Sequence, residues 1–269
     1  MLIKCESHTV HVDMLGNPDD PVVCFLHPLA ADSGMWAAQI PAMLASGFRC
    51  LRIDFRGHGG TAFGNDPVTL DTLVDDVRHV VETLQVGRVH VVGLSVGGVV
   101  AQGLSAKYGH LVESMVLSDC MAESLPEGVV AWKARQAAAQ KAGGLESMAD
   151  LMLSKWVNER LRSENPPAWQ ALRSTLAATS VEGFVAMAEI MQHFSFVQSL
   201  PTVTCPSLVL CGESDELSPP AQVRRIAELI PHARFELIPG GRHFSNVDEA
   251  KRFNRVLCGW LAGLSKAQP

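Results

Sequence analysis

The fold of this chain is decided by the stretch VHVVGLSVGG, residues 89–98. An apolar, β-branched run up to Val92 is typical of a strand that is buried on both faces, and helical periodicity begins at residue 96. A serine between two glycines at such a strand-to-helix junction indicates a sharp turn that exposes the Ser95 hydroxyl, while the small neighbours let strand and helix pass closely. The helix N-terminus also favours developing negative charge. Ser95 is therefore the predicted nucleophile.

Strand and helix patterns alternate on both sides of this stretch. The predicted strands are 8–14, 21–26, 50–54, 88–92, 112–118, 207–211 and 234–238. The predicted helices are 34–46, 69–85, 96–108, 219–230 and 247–264. Between residues 121 and 200 the pattern is helical only. We therefore predict an α/β core of residues 1–120 and 201–269, with a helical cap, residues 121–200, inserted over the carboxyl ends of the strands.

A serine nucleophile needs a histidine base and an acid that orients the histidine. His243 lies in the loop after the last predicted strand, and Asp215 lies in the loop after the strand before it. Because the carboxyl ends of parallel strands meet at one edge of a sheet, we expect both loops to lie near Ser95. Along the chain, the three residues come in the order serine, acid, histidine, which is the order typical of proteins that carry the nucleophile on such a strand-to-helix turn.

Two other acids compete with Asp215 for the orienting role. Asp119 ends the strand that follows the nucleophile helix, and Glu213 shares the loop of Asp215. We place Asp215 first because of its position after a strand end, and Asp119 is the alternative acid. Asp54 also ends a strand, but the sequence RGHG at 56–59 indicates a structural turn.

Stabilising a tetrahedral intermediate requires hydrogen-bond donors for its oxyanion. The backbone N–H of Val96, directly after the nucleophile, is one predicted donor. The second is expected in the loop after strand 21–26, which reads HPLA at 27–30. Pro28 has no N–H, so the predicted donor is the backbone N–H of Leu29.

The composition of the 269 residues narrows the class of protein. Apolar residues make up 47% and charged residues 19%, enough for a substantial core. A formal net charge of −6 argues against a nucleic-acid partner. The seven cysteines are scattered without metal-binding spacing, so no metal is predicted. Neither a signal peptide nor a membrane span is indicated, and we expect a cytoplasmic protein with no membrane partner.

Several of these segments together resemble the α/β-hydrolase superfamily over the whole chain. They are Leu26-His27-Pro28-Leu29, the turn DFRGHG at 54–59, the Ser95 turn, the Asp215 loop and His243. The resemblance implies an eight-stranded, mostly parallel sheet flanked by helices, an inserted helical cap and no cofactor. One departure is His27-Pro28, since the superfamily usually has His-Gly there.

Within the superfamily, further segments are similar to 3-oxoadipate enol-lactonases, and cofactor-free haloperoxidases and carboxylesterases share much of this similarity. The segments are SGMW at 33–36, GLSVGG at 93–98, WKAR at 132–135, KW at 155–156 and HFSNV at 243–247. Ser195 departs from the lactonases, which are expected to carry an acidic residue there.

These features predict a serine hydrolase that cleaves an ester or lactone bond of a small, partly apolar substrate through an acyl-enzyme. Trp132, Trp156 and Met191 are candidate substrate-binding residues in the apolar cap. Arg135, if it faces the site, would bind a substrate carboxylate. C–C bond hydrolysis, perhydrolysis and amide cleavage are alternatives on the same triad, and a ligand receptor with little turnover is the alternative from another class. No sequence feature indicates the oligomeric state.

Overall fold

The computed structural model describes residues 1–265, which form one sheet and surrounding helices. The strands are β1 (Leu2–Lys4), β2 (Thr9–Leu15), β3 (Val22–Leu26), β4 (Arg49–Ile53), β5 (Val89–Leu94), β6 (Val112–Ser118), β7 (Ser207–Gly212) and β8 (Arg234–Ile238). The helices are α1 (Ile40–Ala45), α2 (Leu70–Thr83), α3 (Val96–Tyr108), α4 (Pro126–Ala142), α5 (Ala149–Trp156), α6 (Arg160–Glu164), α7 (Pro166–Ala178), α8 (Val181–His193), α9 (Pro220–Leu229), α10 (Ser245–Asp248) and α11 (Ala250–Ser265).

The strands form a single sheet in the order β1-β2-β4-β3-β5-β6-β7-β8. β2 runs antiparallel to both β1 and β4, and β3 to β8 are mutually parallel. The predicted eight-stranded, mostly parallel sheet is confirmed, although β1 is too short to give a strand signal in the sequence. The connection from β3 to β4 leads toward one edge of the sheet, whereas the connection from β4 to β5 crosses β3 and leads toward the other edge. Such a reversal opens a crevice at the carboxyl ends of the strands.

The central strands are covered on both faces by helices. Every residue of β3, β5 and β7 is buried, which explains their continuous apolar sequences. α3 lies along β3, β5 and β6 and packs against α2, while α1 packs against β4 and α11. The predicted apolar face of α2 is buried at five positions: Leu73, Val74, Val77, Val80 and Val81.

Two predicted helices are interrupted in the structure. The segment 34–46 begins as a 3₁₀ turn, Ser33–Trp36, and α1 starts only at Ile40. Pro41 explains the break, because it has no N–H to continue the helix from the preceding turn. The segment 247–264 is divided into α10 and α11 at Glu249, whose φ of −126° is not helical.

Five helices, α4 to α8, lie between β6 and β7, and an isolated bridge pairs Glu123 with Ser195. This helical segment is hydrogen-bonded to the rest of the molecule. The Phe244 N–H donates to the Trp156 carbonyl (2.8 Å), and the Asn158 N–H donates to the Asp248 carboxylate (2.7 Å). Within residues 1–265, no helix has both the length and the apolar character needed to cross a bilayer.

Candidate active site

Ser95 lies on a strained turn between β5 and α3. Its φ of 52° and ψ of −117° are unusual for a residue with a side chain. The Ser95 N–H donates to the Ser118 carbonyl of the neighbouring strand (2.9 Å), which ties the turn to the sheet. Gly93 and Gly97 permit the turn, because a Cβ on Gly93 would lie 2.2 Å from the Gly97 carbonyl oxygen. The strand-to-helix turn predicted from residues 89–98 is therefore present.

Gly97 gives a direct test of this close approach. A Cβ at Gly97 would lie 2.1 Å from the Leu26 carbonyl oxygen, and backbone cannot move aside as a flexible side chain can. We expect Gly97→Ala to lower the free energy of unfolding by about 3 kcal/mol or more, measured by denaturant titration. The control is Gly259→Ala in α11, where nothing lies within 4 Å of the added Cβ. That variant should unfold like the wild type or be stabilised by up to about 1 kcal/mol. An equal loss of unfolding free energy in Gly97→Ala and Gly259→Ala would contradict the expected clash at Gly97.

His243 and Asp215 are joined by a hydrogen bond between the His243 Nδ1 and the Asp215 Oδ2 (2.9 Å). The Asp215 Oδ1 accepts the N–H groups of Leu217 (2.8 Å) and Ser218 (3.1 Å), which fixes the carboxylate. With its proton on Nδ1, the imidazole keeps a lone pair on Nε2. Burial acts to lower the pKa of His243, but the charge and hydrogen bond of Asp215 raise it above its ordinary value.

Asp119, the alternative acid, lies close to Asp215 but has other partners. Its carboxylate accepts hydrogen bonds from the Gly212 N–H (2.7 Å) and from the hydroxyls of Ser118 (2.5 Å) and Ser245 (2.6 Å). Burial, followed by the negative charge of Asp215, raises the pKa of Asp119 to about 7. Glu213 is exposed, and within residues 1–265 its carboxylate accepts a single, long hydrogen bond, from the Gly240 N–H (3.4 Å). The geometry therefore favours Asp215 as the partner of His243.

Ser95 and His243 line the same cavity, which has a volume of about 230 Å³. All four residues predicted to bind substrate line it too: Trp132, Arg135, Trp156 and Met191. The Trp156 and Phe244 rings lie 5.2 Å apart beside the histidine. Ser195, by contrast, is not a lining residue. A small, mostly apolar compartment thus contains both Ser95 and His243.

Arg135 is a half-buried cation in this cavity. Its guanidinium lies 4.7 Å from the centre of the Trp132 ring, and no acidic partner for it is found in the described part of the chain. Burial lowers the pKa of Arg135, and its charge in turn acts to lower the pKa of His243. The arginine is therefore close enough to the histidine for the two to interact, and its donors are available to a ligand.

The loop after β3 holds the predicted oxyanion donor. Among residues 1–265, neither the Leu29 nor the Val96 backbone N–H has a hydrogen-bond acceptor, and Leu29 also lines the cavity. The His27 side chain fixes this loop through two hydrogen bonds. Its Nε2 accepts the Phe55 N–H (2.9 Å), so the proton is on Nδ1, which donates to the Pro28 carbonyl (2.7 Å). Ala30, with a φ of 55°, completes the turn.

Some lining residues were not predicted from the sequence. Glu127 and Ala131 line the cavity together with Arg135, at intervals of four along α4. Glu216, Leu217 and Ser218, the three residues that follow Asp215, also line it. Two signals in the sequence could have identified these residues. Glu127 and Ala131 precede Arg135 at the four-residue spacing of one helix face, and the others follow Asp215 in the same loop.

Comparison with known proteins agrees with this architecture. The sequence profile of the alpha/beta hydrolase fold family matches residues 21–250. The 3-oxoadipate enol-lactonase 1 of Acinetobacter baylyi is 25% identical, and the match covers 98% of this chain and 97% of that protein. Among solved structures, the enol-lactonase from Burkholderia xenovorans LB400 is 27% identical, with a TM-score of 0.90 and coverage of 97% of this chain and 100% of that one. A hydrolase from Pseudomonas aeruginosa PA01 is 28% identical, with a TM-score of 0.91 and coverage of 97% of each chain.

Proposed function

Because the chain belongs to the α/β-hydrolase family, we propose that it is a serine hydrolase acting on an ester or lactone bond of a small substrate that carries a carboxylate. The observation that carries the proposal is the His243–Asp215 hydrogen bond at the wall of the cavity that contains Ser95. The enol-lactonase relatives support hydrolysis of an ester or lactone in general.

The proposed mechanism is acyl transfer to water. His243 Nε2 takes the Ser95 proton as the Ser95 oxygen attacks the substrate carbonyl, and Asp215 stabilises the resulting imidazolium. The Leu29 and Val96 N–H groups bind the oxyanion. Collapse of the tetrahedral intermediate breaks the C–O bond, and the leaving oxygen takes the proton from His243. Water, deprotonated by His243, then attacks the acyl-enzyme, the bond between the acyl carbon and the Ser95 oxygen breaks, and His243 returns the proton to Ser95.

We further propose that residues 121–200 act as a cap that selects the substrate. Trp132, Trp156 and Met191 supply apolar walls, and Arg135 supplies a positive charge that favours a carboxylate on the substrate. A guanidinium binds a carboxylate through two parallel hydrogen bonds. A cavity of about 230 Å³ favours a small molecule.

The experiment that tests the enzyme proposal is labelling with a fluorophosphonate, followed by peptide mapping. We expect one adduct, on Ser95, formed by attack of its oxygen on phosphorus with loss of fluoride. His243→Ala should slow labelling strongly. Turnover of small esters and lactones, compared with diketones and amides, then tests the type of bond. A reagent that modifies another residue, or no turnover of any ester or lactone, would contradict the proposal.

The pH dependence of labelling follows from the raised pKa of His243. Imidazolium cannot accept the Ser95 proton, so the rate should fall as the pH drops through the histidine pKa. Because that pKa lies above the ordinary value of 6.5, we expect the midpoint of the acid limb above pH 6.5. Labelling rates in a pH series measure it directly, and a midpoint well below 6.5 would be inconsistent with this environment.

Arg135 gives the test of substrate class. Arg135→Met should lower kcat/KM for a carboxylated ester about 10- to 100-fold, because a charge-assisted hydrogen bond contributes about 1.5–3 kcal/mol. A neutral ester of the same size should be affected little. Lys133→Met is the matched control: it removes a positive charge from an exposed position of the same helix. An equal loss of kcat/KM for both esters, or in both variants, would contradict the proposal that the substrate carries a carboxylate bound by Arg135.

A further inference from the structure

A second cluster of side chains, whose atoms can act as ligands, lies away from Ser95. Cys5 and His8 occupy the turn between β1 and β2, which is closed by a hydrogen bond from the Cys5 N–H to the His8 carbonyl (2.9 Å). Asp76 faces them from α2, and one ligand atom from each of the three residues lies within 4.8 Å of the other two. The cavity beside them, about 360 Å³, shares no lining residue with the cavity that contains Ser95.

His8 has no satisfactory partner in the described part of the chain. Its side chain is only 2% exposed, yet neither ring nitrogen makes a hydrogen bond. The Nε2 lies 3.3 Å from the Asp76 Oδ2 without hydrogen-bond geometry. A neutral imidazole keeps a lone pair on one ring nitrogen, which a metal ion could take up. A buried polar group left unpaired in this way calls for an explanation.

The separation of these atoms fits a tetrahedral metal site. Bonds of about 2.0–2.1 Å from zinc to nitrogen and oxygen place those two atoms about 3.3 Å apart, which is the distance found between His8 and Asp76. A zinc–sulfur bond of about 2.3 Å requires the thiolate about 3.6 Å from the nitrogen, and the Cys5 sulfur lies within 4.8 Å of an imidazole nitrogen of His8. Arg56 holds the Asp76 carboxylate through its Nε (2.7 Å) and Nη2 (2.9 Å), as metal-binding carboxylates are commonly held.

We propose that Cys5, His8 and Asp76 bind a divalent transition-metal ion of the zinc class, with a water from the cavity as fourth ligand. The ion would fasten the β1–β2 turn to α2 and has no part in the reaction at Ser95. Binding breaks the Cys5 S–H bond, releases the proton to solvent and forms a metal–sulfur bond, with no change in oxidation state. The sequence predicted no metal because Cys5 and His8 become a three-residue set only when folding brings Asp76 to them.

The charges around the cluster are compatible with a bound cation. Thiolate and carboxylate carry two negative charges, and Asp66, whose charge also acts on His8 and Arg56, offsets the positive charge of the Arg56 guanidinium that pairs with the carboxylate. The other charged or titratable residues that line the cavity are Glu6, Arg56, Asp66, Asp75, Arg78 and His79. Burial and Asp76 raise the pKa of Cys5 to about 11, so at neutral pH the metal must displace a proton. Affinity should therefore fall as the pH is lowered.

The test uses the full chain, stripped with a chelator and titrated with Co²⁺ and then Zn²⁺. We expect one equivalent of Co²⁺ with a thiolate-to-cobalt charge-transfer band in the near ultraviolet, and displacement of that band by Zn²⁺. Cys5→Ser should lose the band, and His8→Gln should weaken binding at least about tenfold. Cys205→Ser, which removes a partly buried free thiol outside the cluster, should keep both.

Thermal unfolding gives an independent readout, since an ion that binds only the folded state raises the Tm. Zn²⁺ should raise the Tm of the wild type and of Cys205→Ser, but not of Cys5→Ser or His8→Gln. No saturable Co²⁺ binding, or a thiolate band that persists in Cys5→Ser, would overturn the proposal. Neither result would bear on Ser95, whose test is fluorophosphonate labelling.

Discussion

Replacing Ser95 with alanine is expected to lower kcat by a factor on the order of 10⁴–10⁶, the range for loss of a catalytic nucleophile. The alanine Cβ fits the same backbone, so the fold should be preserved while the attacking oxygen is lost. The measurement is steady-state hydrolysis of the best small ester or lactone found in the panel. Residual turnover would come from substrate binding and the oxyanion donors Leu29 and Val96 acting on water.

Two controls make this result specific. Ser154→Ala, at an exposed position in the helical segment, should retain wild-type turnover. The Tm of Ser95→Ala should equal or exceed that of the wild type, which separates chemical loss from unfolding. Retention of more than about a tenth of the activity by Ser95→Ala would be incompatible with nucleophilic catalysis by this serine.

The second large effect is expected for Asp215→Asn, which should lower kcat on the order of 10⁴-fold. An asparagine side chain can present its N–H₂ to the His243 Nδ1, which stabilises the tautomer with the proton on Nε2. That nitrogen then has no lone pair to accept the Ser95 proton. The measurement is kcat with the same ester, and loss of less than about tenfold would show that another acid orients the histidine.

Asp119→Asn is the matched control for this substitution, because both residues are buried carboxylates close to His243. We expect less than about a tenfold loss of kcat, since the hydrogen bond to His243 comes from Asp215. Burial and the negative charge of Asp215 also raise the pKa of Asp119, which favours its protonated form, and asparagine resembles that form. The hydroxyls of Ser118 and Ser245 can rotate to accept from the new amide. A larger loss in Asp119→Asn than in Asp215→Asn would reverse the assignment.

The parts of the site that were predictable from the sequence are those set by short-range chemistry. Ser95 is predicted because a serine between glycines, directly after a buried strand, allows few backbone conformations. Asp215 and His243 are predicted because each follows a strand end, and parallel strands bring such loops together. The structure joins these two residues by a hydrogen bond and places the histidine in one cavity with Ser95.

The orientation of Arg135 was not predictable, and the reason lies in α4 itself. Most of this helix consists of alanine and polar residues, with a single alanine, Ala139, fully buried. Hydrophobic periodicity therefore does not mark which face meets the rest of the molecule. The helix break at Pro41 and the strand β1 were not predicted for a similar reason. Each involves only a few residues, and their signal is hidden by the longer sequence pattern around them.

The hydrogen bond from Phe244 to the Trp156 carbonyl has a consequence for protein engineering. It anchors the end of α5 to the loop that carries His243, whereas Glu127, Ala131 and Arg135 reach the cavity from α4. Variation of selectivity is therefore best confined to the α4 positions, where a library can change the shape of the cavity without moving His243, the proposed general base. Randomising around Trp156 would alter recognition and proton transfer together, so gains in one property would be masked by losses in the other.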